Sequence, residues 1–423
     1  MRLSRNPSPG LGLAAAVACS LAAATPALAQ PDLFGRDTVS GLLDARLQAA
    51  DGEPSFLRGG TGKSQASGAG DGAAVRPYLD LATVAWRPDL GGGLSAYVTA
   101  QAQSHQETPV DLAEAFLSWR PTPRSDTRVS ARAGLFWPPF SLEHDGVAWT
   151  APRTLTPSAI NTWIAEEVKV VGVEGTVTQE LAGHRFTLQG AAFYDNDASG
   201  TLLTYRGWAL NGVRTTLNGA IPLPPFGTNT IHEGQYDEAQ PSLELDGRPG
   251  GYVRVEWRPP APVALEVSYY TNAANPHLFI DGQWGWRTTF ANLGLTWRPA
   301  PGWEVLAQGM FGRTYFGEHT PYGWYVDVDF HSAYVLATRV TGRHRVTARV
   351  DGFGIDDLSF KDIDNSGEHG WAATADYAYA LTDRLSLWAE LLHIDSRRQA
   401  RADVGRGPGQ TQTVLQLALR AKL

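Results

Sequence analysis

Two short runs carry the spacing of a calcium loop. Asp195-Asn196-Asp197-Ala198-Ser199-Gly200 and Asp362-Ile363-Asp364-Asn365-Ser366-Gly367 each offer oxygens at positions 1, 3 and 5 with glycine at 6. That is the front half of an oxygen cage for a hard cation. Both lack the glutamate at position 12, where Arg206 and Ala373 stand, and Asp or Ser ahead of Gly also makes a plain turn. The second run has Glu368 beside it, so Asp362, Asp364 and Ser366 are the expected calcium ligands, and no other cofactor is implied. Hydrolytic chemistry leaves a fainter mark. No Gly-x-Ser-x-Gly elbow and no His-Glu-x-x-His pair occurs. His331, His344 and His393 remain as bases, and only His393 has a carboxylate, Asp395, two residues away on the same strand face.

The charged residues follow a simpler rule. Thr413, Leu415, Leu417, Leu419, Ala421 and Leu423 alternate with Gln412, Val414, Gln416, Ala418, Arg420 and Lys422. A period of two means a strand that is oily on one face and polar on the other. Arg128 to Trp137 repeats the pattern, with Val129, Ala131, Ala133, Leu135 and Trp137 opposite Arg128, Ser130 and Arg132; so does Leu94 to Gln103. Parity along the chain gathers Asp44, Arg46, Glu114, Arg128, Arg132, Arg185, Arg254, Glu256, Glu266, Glu304, Arg345, Arg349, Asp351, Asp376, Glu390 and Arg420 on one face. Turned toward a water-filled lumen, Arg46, Glu114, Arg128, Arg132, Arg185, Arg254, Glu256, Arg345, Arg349 and Asp351 would be pore-lining groups. Both signs are present, which makes a transverse field, or simple solvation of the lumen, rather than a funnel of one sign.

The elements that must position these groups are strands near residues 40–50, 78–87, 94–103, 111–120, 128–137, 167–177, 185–194, 252–258, 263–270, 288–298, 303–314, 331–340, 344–354, 371–381, 384–394 and 411–423. That is sixteen, an even number, joined alternately by tight turns and long loops, as an all-β transmembrane antiparallel β-barrel requires. Trp86-Arg87-Pro88, Trp119-Arg120-Pro121, Trp257-Arg258-Pro259 and Trp297-Arg298-Pro299 end even-numbered strands. There a Trp can lie at headgroup level and a Pro can end the hydrogen-bond ladder. A soluble β protein with ordinary strand-to-turn junctions is the competing reading. One strand fits badly: keeping Trp86 outward also turns Asp80 toward lipid, which calls for a bulge or a shifted register.

Residues 1–29 read as a signal peptide, with Arg2 and Arg5, an apolar stretch from Leu11 to Ala24, and Ala27-Leu28-Ala29 before the cut. A lipoprotein reading on Cys19 lacks the leucine expected at Ala16. Residues 30–423 then form a single barrel domain. Cys19 is the only cysteine, so disulfides and thiolate metal sites are excluded from the mature chain. The formal charge of −8 falls to −10 when Arg2 and Arg5 leave, which argues against nucleic acid as a partner. No mature segment holds eighteen consecutive apolar residues, so a spanning structure must be a closed barrel in outer-membrane lipid.

The loop from Pro138 to Ile164 is apolar and aromatic for an exposed loop: Phe140, Leu142, Val147, Trp149, Leu155, Ile160 and Trp163. It packs either inside the barrel as a constriction, with Glu143, His144, Asp145 and Arg153 as lining groups, or on the rim or a neighbouring subunit. Ala133-Gly134-Leu135-Phe136-Trp137-Pro138-Pro139-Phe140-Ser141-Leu142-Glu143 resembles the segment that precedes the third loop in phosphate-selective porin O and P-like proteins, Gly-x-x-x-x-Pro-Phe-x-x-Glu. The resemblance implies a homotrimeric outer-membrane porin with its third loop folded into the lumen. It does not carry phosphate selectivity, because that family relies on clustered Arg and Lys and only Lys63, Lys169, Lys361 and Lys422 occur in the mature chain.

The expected function is passive diffusion of small hydrophilic solutes or ions through the lumen of a non-enzymatic porin in the cell outer membrane. The alternative is a closed barrel acting as receptor or adhesin through its external loops, chiefly residues 195–251 with the Pro-rich stretch Ile221 to Phe226. A barrel-embedded hydrolase is the third reading.

Overall fold

The computed structural model describes residues 33–66, 68, 73–123, 125–225, 234–360 and 365–423. The expected signal peptide, Cys19, Asp362 and Asp364 lie outside them.

Alternation of apolar and polar residues yields sixteen barrel strands. They are β1 Val39–Ala50, β2 Ala74–Trp86, β3 Leu94–Ala102, β4 Asp111–Trp119, β5 Thr127–Phe136, β6 Val170–Leu181, β7 His184–Tyr194 and β8 Gly250–Arg258. The circuit continues with β9 Val263–Thr271, β10 Arg287–Trp297, β11 Trp303–Thr320, β12 Gly323–Thr341, β13 His344–Asp357, β14 Glu368–Ala380, β15 Leu385–Arg398 and β16 Gly409–Lys422. Each pairs antiparallel with its neighbours in sequence, and β1 closes the ring on β16 from Leu42 opposite Lys422 to Ala50 opposite Val414. Closure leaves no unpaired edge, which is what a strand structure in lipid needs.

The outer wall is apolar and solvent-facing in the isolated chain: Leu415, Leu417, Val335, Val350 and Leu265 are all exposed there. Trp119, Trp257 and Trp297 stand on it at the ends of even strands, each more than a third exposed, as a headgroup-level belt would require. The turns beyond them are short, and the connections at the other end are longer, apart from the two-residue turn that joins β11 to β12; the two ends are the short-turn rim and the long-loop rim.

One detail meets the sequence expectation and two correct it. The bulge demanded by Asp80 exists: opposite Asp44 and Ala45 the partner residues are Leu81 and Leu79, so Asp80 is skipped and turns inward. The fifth strand stops at Phe136, and Trp137, expected on the outer face, is 2% exposed inside. Glu167, expected to start the sixth strand, ends helix α1, Ala159–Glu167. Ser158 caps that helix by accepting the Asn161 N–H at 3.3 Å.

Two loops occupy the lumen. Loop three, residues 137–169, contains α1, every residue of which is buried. Loop four, residues 195–249, sends its first third in beside it, with Leu203, Trp208 and Leu210 wholly buried. Their apolar side chains meet the inward faces of β7 to β16, including Phe193, Tyr270, Phe290, Leu306, Phe330 and Leu392, in one packed cluster. The long loop 195–251 was expected to be wholly external; its first third is instead part of the core.

Candidate pore lining and its loop

Loop three is hung on the wall by charge. Arg349 of β13 is fully buried and bonds Glu143 of the loop at 3.1 Å and Asp351 of its own strand at 2.8 Å. It also donates to the carbonyls of Thr156 at 2.7 Å and Pro157 at 3.0 Å. Glu143 then accepts the N–H of Ser158 and the side-chain amide of Asn161, while Asp351 accepts the N–H of Ala159. Glu390 of β15 takes the N–H groups of Leu155 and Thr156 at 2.7 and 3.0 Å. A loop threaded through a barrel must satisfy its main-chain groups there, and these carboxylates do so.

The turn of the loop is locked by aromatic stacking. The Trp149 ring lies 4.2 Å from Trp137 on one face and 4.0 Å from His144 on the other. Lys169 Nζ caps the outer face of Trp137 at 3.7 Å. Ala148 and Trp149 both hold positive φ, 50° and 57°, a conformation that costs non-glycine residues about 1–3 kcal/mol each. Arg214 of loop four holds it by donating to the carbonyls of both, at 2.5 and 3.1 Å. Burial, with Arg214 next to it, pushes the His144 imidazole down to about 3, so its ring stays neutral and flat in the stack. Deeper in, Phe140 sits edge-on to Tyr252 at 5.1 Å and Phe290 at 5.5 Å.

The expected pore-lining residues divide into three groups. Arg46 is buried between Asp44 at 2.8 Å and the bulged Asp80 at 2.6 Å; Glu114, Arg349 and Asp351 are likewise buried beneath the loops. Arg132, Arg254, Glu256 and Arg345 stand at the edge of open space. Arg132 grips Glu174 through two nitrogens, at 2.9 and 3.0 Å, and Arg254 bonds both Glu256 and Glu266. Arg128 and Arg185 are half-exposed at the short-turn rim, sharing Glu180 at 3.4 and 2.9 Å. Of the loop residues, Arg153 joins Asp145 at 2.7 Å to Glu304 of the wall at 2.5 Å.

Two chambers open on either side of loop three at the short-turn rim. The first, of about 360 Å³, lies against β5 and β8 to β11, and its lining includes Arg132, Arg254, Glu266, Arg298, Trp149 and Arg153. The second, of about 200 Å³, lies against β12 to β16 and β1, and its lining includes Ala151, Pro152, Arg345, Trp388, Arg420 and Lys422.

Sequence reasoning missed loop four as a structural partner. Arg206 pairs with Glu166 of α1 at 2.6 Å, and Lys63 pairs with Glu368, all four buried. The signal was there in Leu202, Leu203, Trp208 and Leu210, apolar residues on either side of Arg206 in a loop assigned to the exterior.

The calcium runs are placed in part. Ser366 is buried, donating to the Thr204 carbonyl at 3.1 Å. In the other run Asp197 lies beside Glu244 and Asp246, their oxygens within 4.8 Å of one another. Burial, reinforced by those two carboxylates, pushes the Asp197 carboxyl up to about 8. His393 bonds Thr413 at 3.0 Å and faces Trp371 on the outer wall. His344 bonds Tyr377 at 2.8 Å on the same wall, and His331 is half-exposed near Asp356.

No family model and no curated relative matches the chain. Solved structures do. An anion-selective porin from Comamonas acidovorans is 15% identical, with a TM-score of 0.53 over 91% of this chain and 99% of its own. A loop L8 deletion mutant of OmpT, an outer membrane protein of Vibrio cholerae, is 8% identical, with a TM-score of 0.51 over 91% and 98%. The trimer form of in-vitro folded OmpT is 7% identical, with a TM-score of 0.51 over the same shares. These likenesses show the fold, a closed sixteen-strand porin-type barrel.

Proposed function

We propose that the chain is a porin of the cell outer membrane that lets small hydrophilic solutes diffuse passively past its third loop. The observation that carries this reading is loop three itself, folded into a closed sixteen-strand barrel and bonded to the wall by Glu143, Arg153 and the main-chain groups that meet Arg349 and Glu390. An apolar outer wall with Trp at the strand ends puts the barrel in lipid, with the short turns at the periplasmic rim. The assembly is proposed to be a homotrimer, on the resemblance of residues 133–143 to the phosphate-selective porin O and P-like family and on the trimeric neighbour among solved structures. No catalytic step is assigned: His344 and His393 serve the outer wall. Glu143, the glutamate of the resembling motif, acts as the anchor of loop three.

A second reading draws on the apolar packing of loops three and four within the lumen: a closed barrel that presents its long loops as a receptor or adhesin. Single-channel recording of the refolded protein in a planar bilayer separates the two. Stable current steps that enlarge when ten residues of loop three are deleted support the porin. A folded, inserted protein that stays silent in both forms overturns it.

A further inference from the structure

The second chamber at the short-turn rim is amphipathic. Its inner wall is hydrocarbon, formed by Leu42, Val340, Ala378 and Trp388 of the barrel with Ala151 and Pro152 of loop three. Its mouth is basic: Arg343, Arg345, Arg384, Arg420 and Lys422 line it, against a single lining carboxylate, Asp383. The bonds these cations make leave charge to spare. Arg343 donates to the Leu381 carbonyl at 3.4 Å and Arg345 to the Pro152 carbonyl, groups that carry no net charge. Arg420 alone meets a carboxylate, Asp44 at 2.8 Å, which it shares with Arg46. Arg345 and Arg420 also flank the Trp388 ring, at 5.7 and 4.5 Å.

Of the remaining charges near the chamber, two are committed elsewhere and one bears on it. Glu390, behind Trp388, holds the Leu155 and Thr156 N–H groups and the Gln416 amide. Arg153 faces the other side of the loop, toward Glu304. Asp376, buried opposite Glu390 on the neighbouring strand, has no side-chain ion pair among the described residues and offsets part of the charge of Arg345 and Arg420 from behind, which still leaves the mouth with an excess of cations.

We infer that this chamber is a binding site for a small organic carboxylate with a compact hydrocarbon body. The body would rest against Trp388, Ala378 and Pro152, and the carboxylate would take the guanidinium of Arg345 and the rim charges. Arginine presents a planar fork that matches a carboxylate, and pockets of this kind fix a ligand by a few polar groups on an apolar wall. Inorganic phosphate would use the rim and gain nothing from the wall. The inference rests on the diffusion reading for its purpose, since it names a class of solute that the vestibule would concentrate.

The test uses the full refolded chain and sodium benzoate, followed by isothermal titration calorimetry alongside planar-bilayer recording. Saturable benzoate binding is expected, with cyclohexanecarboxylate close to it and inorganic phosphate at least tenfold weaker by about one factor of ten in Kd. Arg345→Gln should weaken benzoate by about tenfold, the loss of one charge-assisted contact. Lys422→Gln, at an exposed rim position that bears no part of the packing, should weaken it several-fold, and Arg128→Gln, outside the chamber on the β5 side of the same rim, should leave it unchanged. No benzoate binding, binding indifferent to both chamber variants, or phosphate binding equal to benzoate would each overturn the site. A conducting protein that binds no benzoate sinks this inference and keeps the porin; a silent one that binds benzoate through Arg345 does the reverse.

Discussion

The two chambers beside loop three are made of the same residue types and carry different charge. In the first, Arg132 is held by Glu174, Arg153 by Asp145 and Glu304, Arg254 by Glu256 and Glu266, and Arg298 by Glu304. In the second, Arg343 and Arg345 bond main-chain carbonyls. The cause is register. Arg132 faces Glu174 directly across the β5–β6 ladder, and Glu256 faces Glu266 across β8–β9, next to Arg254. On the other side Arg345 faces Ala378 and Val340, while Arg420 faces Ser386 on one flank and on the other Asp44, a carboxylate that Arg46 already shares. Strand parity tells which side chains enter the lumen. Which of them neutralise one another is decided by cross-strand neighbours, and that depends on the register of each hairpin.

Both chambers exist only while loop three is held between them, so the largest effect should come from its anchor. Arg349→Met leaves Glu143 and Asp351 buried without a counter-charge, at a cost of about 3–5 kcal/mol. The expected outcome is a loop that leaves the wall, seen as protease cleavage near Gly146 and as merged chambers with larger current steps, while the barrel itself still resists denaturant. An uncleaved loop in a variant of unchanged stability would remove Arg349 from the role given to it.

Acid should act on the shared partition next. The His144 imidazole is held down to about 3 by burial and, secondarily, by Arg214. A folded-state value below that of the unfolded chain means that the stability it contributes is fully present above about pH 6.5 and is lost as pH falls toward 3. Between pH 6.5 and 4 the loss is up to about 3 kcal/mol. Loop three should loosen over that window, as read by cleavage near Gly146, and His144→Phe, which keeps the flat stack on Trp149, should remove the acid sensitivity that exceeds the background of titrating carboxylates.

Charge reversal then sharpens the contrast between the chambers. Glu304→Gln frees Arg298, leaves Arg153 to Asp145 alone and so shifts the first chamber toward positive charge; Lys422→Glu with Arg384→Glu removes the excess from the second. In a salt gradient the first variant should move the reversal potential several-fold toward anions and the double variant toward cations. Equal and unmoved potentials would mean that neither chamber sets selectivity.

How much of this was legible beforehand follows from the same distinction between local pattern and register. All sixteen strands could be read from period-two alternation, because an oily outer face is imposed on each strand separately. The irregularity at Asp80 could be read too, as a conflict between Trp86 and Asp80 that a bulge or a shifted register would resolve, and the strand takes the bulge. Loop three was legible as an apolar segment in need of a surface, but α1 was not: Glu167 looked like the polar start of a strand, with Glu166 in the gap before it. They are buried because Arg206 pairs with one, and because Trp163, Gly200 and Leu202 donate to the other. All but Trp163 lie 33 to 40 residues away in a loop whose path no local periodicity records. The charge of each chamber was illegible for the same reason.

The smallest effect expected lies in loop four, far from both chambers, and it tests whether that loop is as firmly set as loop three. Asp197 accepts the N–H of Leu245 at 2.7 Å while its neighbours Glu244 and Asp246 crowd it. Burial first, and those two carboxylates second, raise its carboxyl to about 8. A raised folded-state value means that the stability it contributes is present at low pH and lost as pH rises through about 8. From pH 7 to 9 the loss is about 1 kcal/mol, because only the first of those two units lies below the folded value, where the unfolded chain has given up a proton that the folded one still holds; above about 8 the curve is flat. Asp197→Asn keeps an oxygen for the Leu245 N–H and carries no charge, so it should abolish the alkaline loss without lowering stability at pH 6, as followed by denaturant unfolding at the two pH values. A variant that loses stability at pH 6, or that stays as sensitive to alkali as the parent, would show that the carboxylate of Asp197 is ionised in place and that loop four is held by its apolar run alone.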